Sequence, residues 1–338
     1  MSAQATHDGE LSAAGGPAPA RGLGFDRAVE RNGYAWWYVD ALSDDGRHGL
    51  TLIAMIGSVF SPYYARARRR GLTNPEEHCA INVALYGANG KRWALTERDA
   101  AAVSRTPDRL VVGPSAVTWN GRWLEIAIDE ISVPVPRRLR GKIRVFPAAF
   151  SDQQFALDQA GNHTWWPIAP RSRIELEMQH PALRWKGDAY LDANWGSEAL
   201  ESRFVRWDWS RGMLDDGRCA VLYNREERGQ RTQSLGLIFD RSGSIDRFEP
   251  PGDMRLPKTR IWRIPRGTQA EPGSTPRIGD TLEDTPFYAR SIIHTRLLGQ
   301  PLTAIHESLS LGRFSRPWVQ MLLPFRMPRV TGRRSGTP

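Results

Sequence analysis

Apolar and polar residues alternate with a period of two along most of this chain, which is the pattern of half-buried β-strands. The clearest example follows Asn120-Gly121, where apolar residues at 124, 126 and 128 oppose Glu125 and Asp129. An Asn-Gly pair between two alternating segments predicts a tight β-hairpin. Similar alternation recurs in segments 80–86, 92–97, 173–178, 205–209, 219–224, 234–239 and 292–298.

Turn residues separate the predicted strands, and helical periodicity is scarce. The turns include segments 44–46, 88–90, 215–217 and 242–243, and the best helix candidates are 62–70 and 99–104. Many short strands with tight turns are typical of antiparallel barrels or sandwiches. Two β-units in tandem are more economical for this length than one very large sheet. We therefore expect an all-β fold with two domains, the second starting between residues 150 and 187.

The composition is that of a globular chain with an unusual number of tryptophans. Of 338 residues, 40% are hydrophobic and 25% are charged, and 13 are Trp. So many large aromatic side chains indicate an aromatic core or an aromatic-lined pocket. The longest apolar stretch, 50–60, is about half of what a membrane-spanning helix needs. Residues 1–24 are rich in Ala, Gly and Pro, so we expect a flexible tail and not a signal peptide.

The net charge of +9 is unevenly distributed. From Arg313 onward there are six arginines and no acidic residue, interleaved with Trp318, Met321, Leu322, Leu323 and Phe325. Basic residues mixed with bulky apolar ones are typical of a segment that rests on an anionic membrane surface. A solvated basic tail is the alternative. A nucleic-acid partner is not expected, because no helix-turn-helix, zinc-finger or RNA-recognition signature is present.

Several common kinds of site have no motif in this sequence. There is no G-x-G-x-x-G, Walker loop, G-x-S-x-G or H-E-x-x-H, and the seven histidines are scattered. Cys79 and Cys219 lie far apart without C-x-x-C spacing, which argues against a disulfide scaffold or thiolate metal site. We therefore expect neither a cofactor nor a metal, and the two cysteines fit a reducing cytoplasmic compartment.

Two segments place an aromatic ring beside a group that can transfer protons. In an extended strand, His163 and Trp165 point to the same face, and so do Tyr190 and Asp192. Each residue also has a structural interpretation: a turn for Asp192, a hydrogen-bonded strand residue for His163, and core packing for the tryptophan. In the early segment 33–40, alternation sends Tyr34, Trp36 and Tyr38 to one face and Trp37 to the other. That strand could contact a ligand or close a core.

Read together, these segments resemble the carotenoid 1,2-hydratases of purple bacteria, also called hydroxyneurosporene synthases. The resemblance spans about residues 25 to 325. It rests on the segments 33–40, 49–64, 82–87, 93, 96–98, 163–165, 190–192 and 207–211.

The resemblance implies a fold and a reaction. It implies two tandem lipocalin-like antiparallel β-barrels, which we place at 25–170 and 171–325, followed by a basic tail at 326–338. It also implies a cofactor-independent hydro-lyase that adds water to the terminal C1–C2 double bond of neurosporene, lycopene or a related acyclic carotene. The expected location is the cytoplasm, at the surface of the inner photosynthetic membrane. A non-catalytic lipocalin-like carrier of a lipid or carotenoid is the alternative.

The resemblance also implies the functional residues Asp192, Tyr190, His163 and Trp165. We expect Asp192 to protonate the alkene, because a carboxyl group in an apolar pocket stays neutral. The rings of Trp165 and Tyr190 would stabilise the cation, or Tyr190 would orient Asp192. His163 would orient the attacking water, take its proton, or orient Asp192. The expected substrate contacts are Tyr34, Trp36, Trp166 and Trp195.

Overall fold

A computed structural model describes residues 22–87 and 90–332 of the chain. Helices and strands are named in chain order. Four short α-helices are present in the described ranges: α1 (Pro62–Arg70), α2 (Leu200–Arg203), α3 (Leu311–Phe314) and α4 (Pro317–Leu322). Turns of 3₁₀-helix cover Pro75–Glu77, Ala100–Ala102 and Leu323–Phe325. No helix within these ranges has the length and apolar character needed to cross a membrane.

Strands make up most of the remaining chain, as the alternation predicts. Those of the first part are β1 (Tyr34–Ser43), β2 (His48–Ile56), β3 (Ala80–Gly87), β4 (Arg92–Leu95), β5 (Glu97–Arg98), β6 (Val103–Thr106), β7 (Arg109–Val112), β8 (Ser115–Trp119), β9 (Leu124–Ile131), β10 (Arg138–Pro147), β11 (Phe155–Ala156), β12 (His163–His180) and β13 (Leu183–Gly196). Those of the second part are β14 (Phe204–Met213), β15 (Cys219–Glu227), β16 (Gln233–Phe239), β17 (Ile245–Phe248), β18 (Asp253–Leu256), β19 (Arg266–Gln269), β20 (Arg277–Asp284), β21 (Tyr288–Leu297), β22 (Gln300–Ser310) and β23 (Arg329–Val330).

Two large antiparallel sheets organise the molecule. The first has 12 strands in the order β4-β3-β2-β1-β13-β12-β10-β9-β8-β7-β6, with β11 paired to β12. The second has seven strands in the order β17-β16-β15-β14-β22-β21-β20. The all-β prediction is confirmed.

The strongest local predictions are also confirmed. The chain forms a hairpin in which Trp119 pairs with Leu124, and the Asn120 carboxamide accepts the backbone N–H groups of Arg122 and Trp123, each at 2.9 Å. Gly121 has φ +88°, which a residue with a side chain rarely adopts. The helix predicted at 62–70 is α1. The turn predicted at 88–90 lies partly outside the described residues, as do most of the 1–24 tail and the end of the 326–338 tail.

The first sheet continues beyond the predicted boundary between residues 170 and 171. That boundary falls inside β12, which pairs with β13 from His163 to Met178. The chain changes from the first sheet to the second between Gly196 and Phe204. The division into two domains remains a prediction.

Two hydrophobic cores lie on opposite faces of the first sheet. One core draws on β1 to β3 and also on β7 to β10, so this sheet curls until its two halves face each other. The other core combines side chains of β1, β12 and β13 with those of β14, β15 and β22, and therefore lies between the two sheets. Alternation along β1 decides the division: Trp37 belongs to the first core, and Trp36 to the second.

Candidate functional site

A cavity of about 150 Å³ lies between the two sheets and is lined mainly by apolar and aromatic side chains. On the first sheet, one row of cross-strand neighbours runs over β13, β1, β2, β3 and β4, and all of them face the cavity: Asp192, Tyr38, Ile53, Asn82 and Leu95. On the second sheet, Tyr223, Trp209 and Glu307 form a facing row over β15, β14 and β22. The cavity is therefore a product of tertiary pairing between distant strands.

Asp192 is a buried acid at the wall of this cavity, with 5% of its surface exposed. Its Oδ2 atom accepts two hydrogen bonds, from Trp165 Nε1 and from the Tyr190 hydroxyl, each at 2.8 Å. Its Oδ1 atom is buried and has no hydrogen-bond partner among the described residues. The structure thus brings together three of the four predicted functional residues.

Burial decides the protonation state of this acid. It raises the pKa of Asp192 to about 8, although the hydrogen bonds from Trp165 and Tyr190 act in the opposite direction. Both donors are neutral groups, so among the described residues no cation is hydrogen-bonded to this carboxyl group to offset the cost of burying a charge. At pH 7 the carboxyl group is therefore mostly neutral. Because Oδ2 already accepts two hydrogen bonds, the proton belongs on Oδ1.

Trp165 and Tyr190 lie behind Asp192 and do not line the cavity. Both are fully buried, and the Trp165 ring packs against Tyr223 with centroids 5.0 Å apart. Tyr190 packs against Trp209 at 5.1 Å. Their polar atoms point at the carboxyl group, and their rings support the aromatic wall. This geometry fits a role in orienting Asp192.

His163 lies in a separate cluster and does not reach the cavity. It is fully buried, and its Nδ1 atom shares a hydrogen bond of 2.9 Å with the Tyr34 hydroxyl. Its Nε2 atom lies 3.7 Å from Glu198 and has no hydrogen-bond partner in the described part of the chain. Burial lowers the pKa of His163, so the imidazole is neutral at pH 7. Tyr34 stacks on Trp36 at 4.8 Å, and only Trp36 lines the cavity.

The four predicted substrate contacts divide between the two faces of the first sheet. Trp36 lines the cavity, and Tyr34 stands directly behind it. Trp166 and Trp195 instead pack with the other core. Trp166 donates its indole N–H to the Ser151 carbonyl at 2.7 Å, and Trp195 lies under the Arg27 guanidinium. The structure places these two tryptophans away from the cavity.

A buried charge network, which the sequence analysis missed, adjoins the cavity. Asp40 accepts hydrogen bonds from Arg211 Nε at 2.6 Å and from Arg290 Nη2 at 3.0 Å. Arg290 also pairs with Glu307, and the Tyr38 hydroxyl donates to Glu307 at 2.7 Å. Alternation along the strands could have indicated this network. Asp40, Arg211, Arg290 and Glu307 each occupy a position at which their strand otherwise places inward-facing apolar or aromatic side chains.

Within residues 22–87 and 90–332, no group of three or more His, Cys, Asp or Glu side chains is arranged to hold a metal ion. The polar groups around the cavity include the neutral carboxyl of Asp192, hydroxyls, amides, the ion-paired carboxylate of Glu307, the buried Glu283 and the Arg326 guanidinium. This set suits proton transfer to and from an apolar ligand.

Comparisons with solved structures agree with the fold. An AttH protein from Nitrosomonas europaea superposes with a TM-score of 0.57 at 16% identity, over 87% of this chain and 98% of that one. A kievitone hydratase from Nectria haematococca gives a TM-score of 0.55 at 8% identity, over 88% and 96%. At these identities the likeness concerns the fold alone.

Comparisons of sequence are more specific. Residues 52–336 match the model of the carotenoid hydratase CrtC family. The acyclic carotenoid 1,2-hydratase of Thiocapsa roseopersicina is 56% identical over 97% of this chain and 80% of that protein. The enzymes of that name from Rubrivivax gelatinosus and Cereibacter sphaeroides are 48% and 39% identical, over 90% and 83% of this chain and 75% and 99% of theirs. The chain belongs to the carotenoid hydratase family.

Proposed function

We propose that this protein adds water to the terminal C1–C2 double bond of an acyclic carotenoid and forms a tertiary alcohol. The relatives that cover most of the chain carry the name acyclic carotenoid 1,2-hydratase. The observation that carries the proposal is Asp192, a neutral carboxyl group at the wall of an apolar cavity. An isolated alkene is a very weak base, so its protonation needs such an acid.

Asp192 transfers the proton of Oδ1 to C2 of the alkene, and the positive charge develops on C1. Trp36, Tyr38 and Trp209 present aromatic surfaces to the cavity. An aromatic face close to a cation contributes about 2 kcal/mol in a desolvated site. Water then attacks C1, loses a proton, and leaves the hydroxyl group on the tertiary carbon.

The positions of Trp165, Tyr190 and His163 support indirect roles. Trp165 and Tyr190 hold Oδ2, which leaves Oδ1 free to face the substrate. His163 fixes Tyr34, and Tyr34 supports Trp36 in the cavity wall. We assign all three as positioning residues. The expected use of His163 as the base for water finds no support in its contacts.

The cavity holds one end of a carotenoid at a time. A protein cavity of about 150 Å³ accommodates a molecule the size of benzene, so the space found here fits a terminal isoprenoid group. The remainder of the polyene must leave the cavity. The lining includes Leu323, Arg326 and Met327, which belong to the C-terminal segment after α4. We call residues 317–327 the mouth segment.

The mouth segment is also suited to contact a membrane. Its Met321 and Phe325 side chains are 71% and 76% exposed, and Trp318 and Leu322 are exposed as well. Between residues 313 and 332 there are four arginines and no acidic residue. Exposed apolar side chains beside arginines favour an anionic bilayer. The substrate would then pass from the lipid into the cavity without crossing water.

Liposome sedimentation tests this contact with the double variant Met321→Ser, Phe325→Ser. Both side chains are exposed, so the fold should persist. We expect binding to vesicles that contain anionic lipid to fall at least tenfold, because the variant loses two apolar side chains that would be buried in the bilayer. The pair Ile131→Ser, Val135→Ser removes exposed apolar groups elsewhere and should bind like wild type. Equal binding by all three proteins would remove the mouth segment as the contact.

The reaction itself is tested by comparing wild type with Asp192→Asn. Each is supplied with lycopene or neurosporene in detergent without air, and hydroxylated product is measured by chromatography. Asn keeps the size of Asp and can accept the same two hydrogen bonds, but it has no acidic proton to donate. We expect product from wild type and at least a 10³-fold lower rate from the variant. Equal rates would refute Asp192 as the donor, and bound pigment without product from either protein would favour the carrier.

A further inference from the structure

Glu307 is a second carboxyl group in the same cavity. It lies on β22 between Ile305 and Leu309, whose side chains face the inter-sheet core. Its side chain contributes to the cavity wall opposite the row that contains Asp192. A charged residue at a position that alternation assigns to apolar packing calls for a specific reason.

Glu307 and Asp192 have contrasting surroundings. The Arg290 guanidinium pairs with the Glu307 carboxylate, and the Tyr38 hydroxyl donates to it at 2.7 Å. Arg290 is itself buried and holds Asp40 on its other side at 3.0 Å. Asp192, in contrast, accepts hydrogen bonds only from neutral groups in the part of the chain that the structure describes. One carboxyl group paired with a cation and another held by neutral donors, both at one cavity, are the arrangement expected of a base and an acid.

A buried hydrogen-bond donor without a partner lies on the cross-strand neighbour of Glu307. Trp209 is the cross-strand neighbour of Glu307 on β14 and also lines the cavity. Its Nε1 atom is buried and has no hydrogen-bond partner among the described residues. A water that accepts this N–H and donates to Glu307 keeps one lone pair free. That lone pair can attack carbon.

We propose that Glu307 is the catalytic base that takes the proton from the attacking water. The inference rests on the proposed hydration. The Oδ1–H bond of Asp192 breaks and a C2–H bond forms. The water oxygen then bonds to C1 while one of its O–H bonds breaks, and that proton goes to the Glu307 carboxylate. Return of a proton from Glu307 to Asp192 through water restores both groups. The sum is alkene plus water giving alcohol.

The other candidates for this role fit less well. His163 does not line the cavity. Glu283 on β20 does line it, but burial raises the pKa of Glu283, with Arg326, Lys91 and Arg290 acting against that rise. The cross-strand neighbour of Glu283 is Arg290, so Glu283 has no neighbouring indole N–H like that of Trp209 beside Glu307. Glu307 alone combines an ion-paired carboxylate with an adjacent free donor in the described cavity wall.

The test compares Glu307→Gln with Glu130→Gln. Glu130 is a matched control, because it is buried, pairs with Arg98 at 2.7 Å and accepts a hydroxyl from Ser115 at 2.8 Å, yet lies away from the cavity. We expect the hydration rate of Glu307→Gln to fall by about 10²–10⁴, which is the usual contribution of a general base. Glu130→Gln should stay within about threefold of wild type, with both variants folded by circular dichroism.

Chemical rescue distinguishes two roles of Glu307, that of a base that accepts a proton and that of an ion-pair partner for Arg290. In Glu307→Ala, added formate should restore the rate at least tenfold, whereas chloride, which can pair with Arg290 but accepts no proton, should not. Rescue by both anions, or a Glu307→Gln rate within threefold of wild type, would overturn the assignment. Asp192→Asn remains inactive in either case if the proposed function holds, so failure of the base and failure of the donor are distinguishable.

Discussion

Trp165 and Trp166 are neighbours in the chain but belong to opposite faces of the first sheet. Each is buried and donates one indole hydrogen bond, Trp165 to the Asp192 carboxyl at 2.8 Å and Trp166 to the Ser151 carbonyl at 2.7 Å. One therefore orients an acid at the cavity wall, and the other fastens a loop to the enclosed core of the curled sheet. The two cores on either side of the sheet contain similar numbers of tryptophans, and the bonded partner makes the difference.

The two faces also differ in what burial costs. The enclosed face is dominated by aliphatic and aromatic side chains. The face toward the second sheet carries Asp192 and Asp40, and the second sheet adds Arg211, Arg290 and Glu307. Buried ionisable groups destabilise a fold unless they are compensated. We infer that stability comes mainly from the first face and chemistry from the second.

The largest expected effect comes from removing an ionisable group from the face toward the second sheet: Asp192→Asn should make the folded protein more stable. The folded protein raises the pKa of Asp192 from 3.8 to about 8. Above pH 4 the unfolded chain releases this proton and the folded protein retains it, so unfolding becomes favoured by about 1.4 kcal/mol per pH unit up to about pH 8. The variant lacks this penalty. It should be several kcal/mol more stable at pH 8 and equal to wild type below pH 4.

Urea denaturation at several pH values measures this difference. Asp129→Asn is the control, because Arg138 lowers the pKa of that partly exposed carboxyl group. The control should show no gain in the free energy of unfolding at pH 8. If the difference in the free energy of unfolding between wild type and Asp192→Asn does not change with pH, Asp192 is not buried in its neutral form.

A smaller effect sharpens the comparison between Trp165 and Trp166. Trp165→Phe removes one of the two hydrogen bonds to Asp192 Oδ2, and the rate of hydration should fall about tenfold to a hundredfold. Trp166→Phe removes a bond of similar length on the other face, and should lower the free energy of unfolding by about 1–3 kcal/mol while retaining the rate. Product chromatography and denaturation of both variants provide the readouts. Equal losses of rate would remove the functional distinction between the faces.

Much of the fold could be predicted from the sequence because alternation is a local signal. It indicated the hairpin at Asn120-Gly121 and the opposite orientations of Trp36 and Trp37, and both are confirmed. The same rule places Trp166 on the opposite face from Trp165, so alternation itself argues against the expected substrate contact at Trp166. The boundary at 170/171 fell inside β12, since an 18-residue strand carries no internal turn signal.

The site was predictable only in part, for a physical reason. Asp192 and Tyr190 are two residues apart, and Trp165 lies on the paired strand, so short motifs could reveal them. Glu307 reaches the cavity through the pairing of β22 with β14 and the packing of the two sheets. No sequence motif links it to Asp192. The indication available was an acidic side chain between the inward-facing Ile305 and Leu309.

The dependence of hydration rate on pH tests most directly whether Asp192 acts as a neutral acid. Because the reactive form is protonated and burial raises the pKa of Asp192 to about 8, the wild-type rate should be nearly constant from pH 6 to about pH 7 and fall about tenfold per unit above pH 8. Single-turnover rates between pH 6 and pH 10, with folding checked at each pH, supply the measurement. A rate that stays constant or rises through pH 10 would contradict the account.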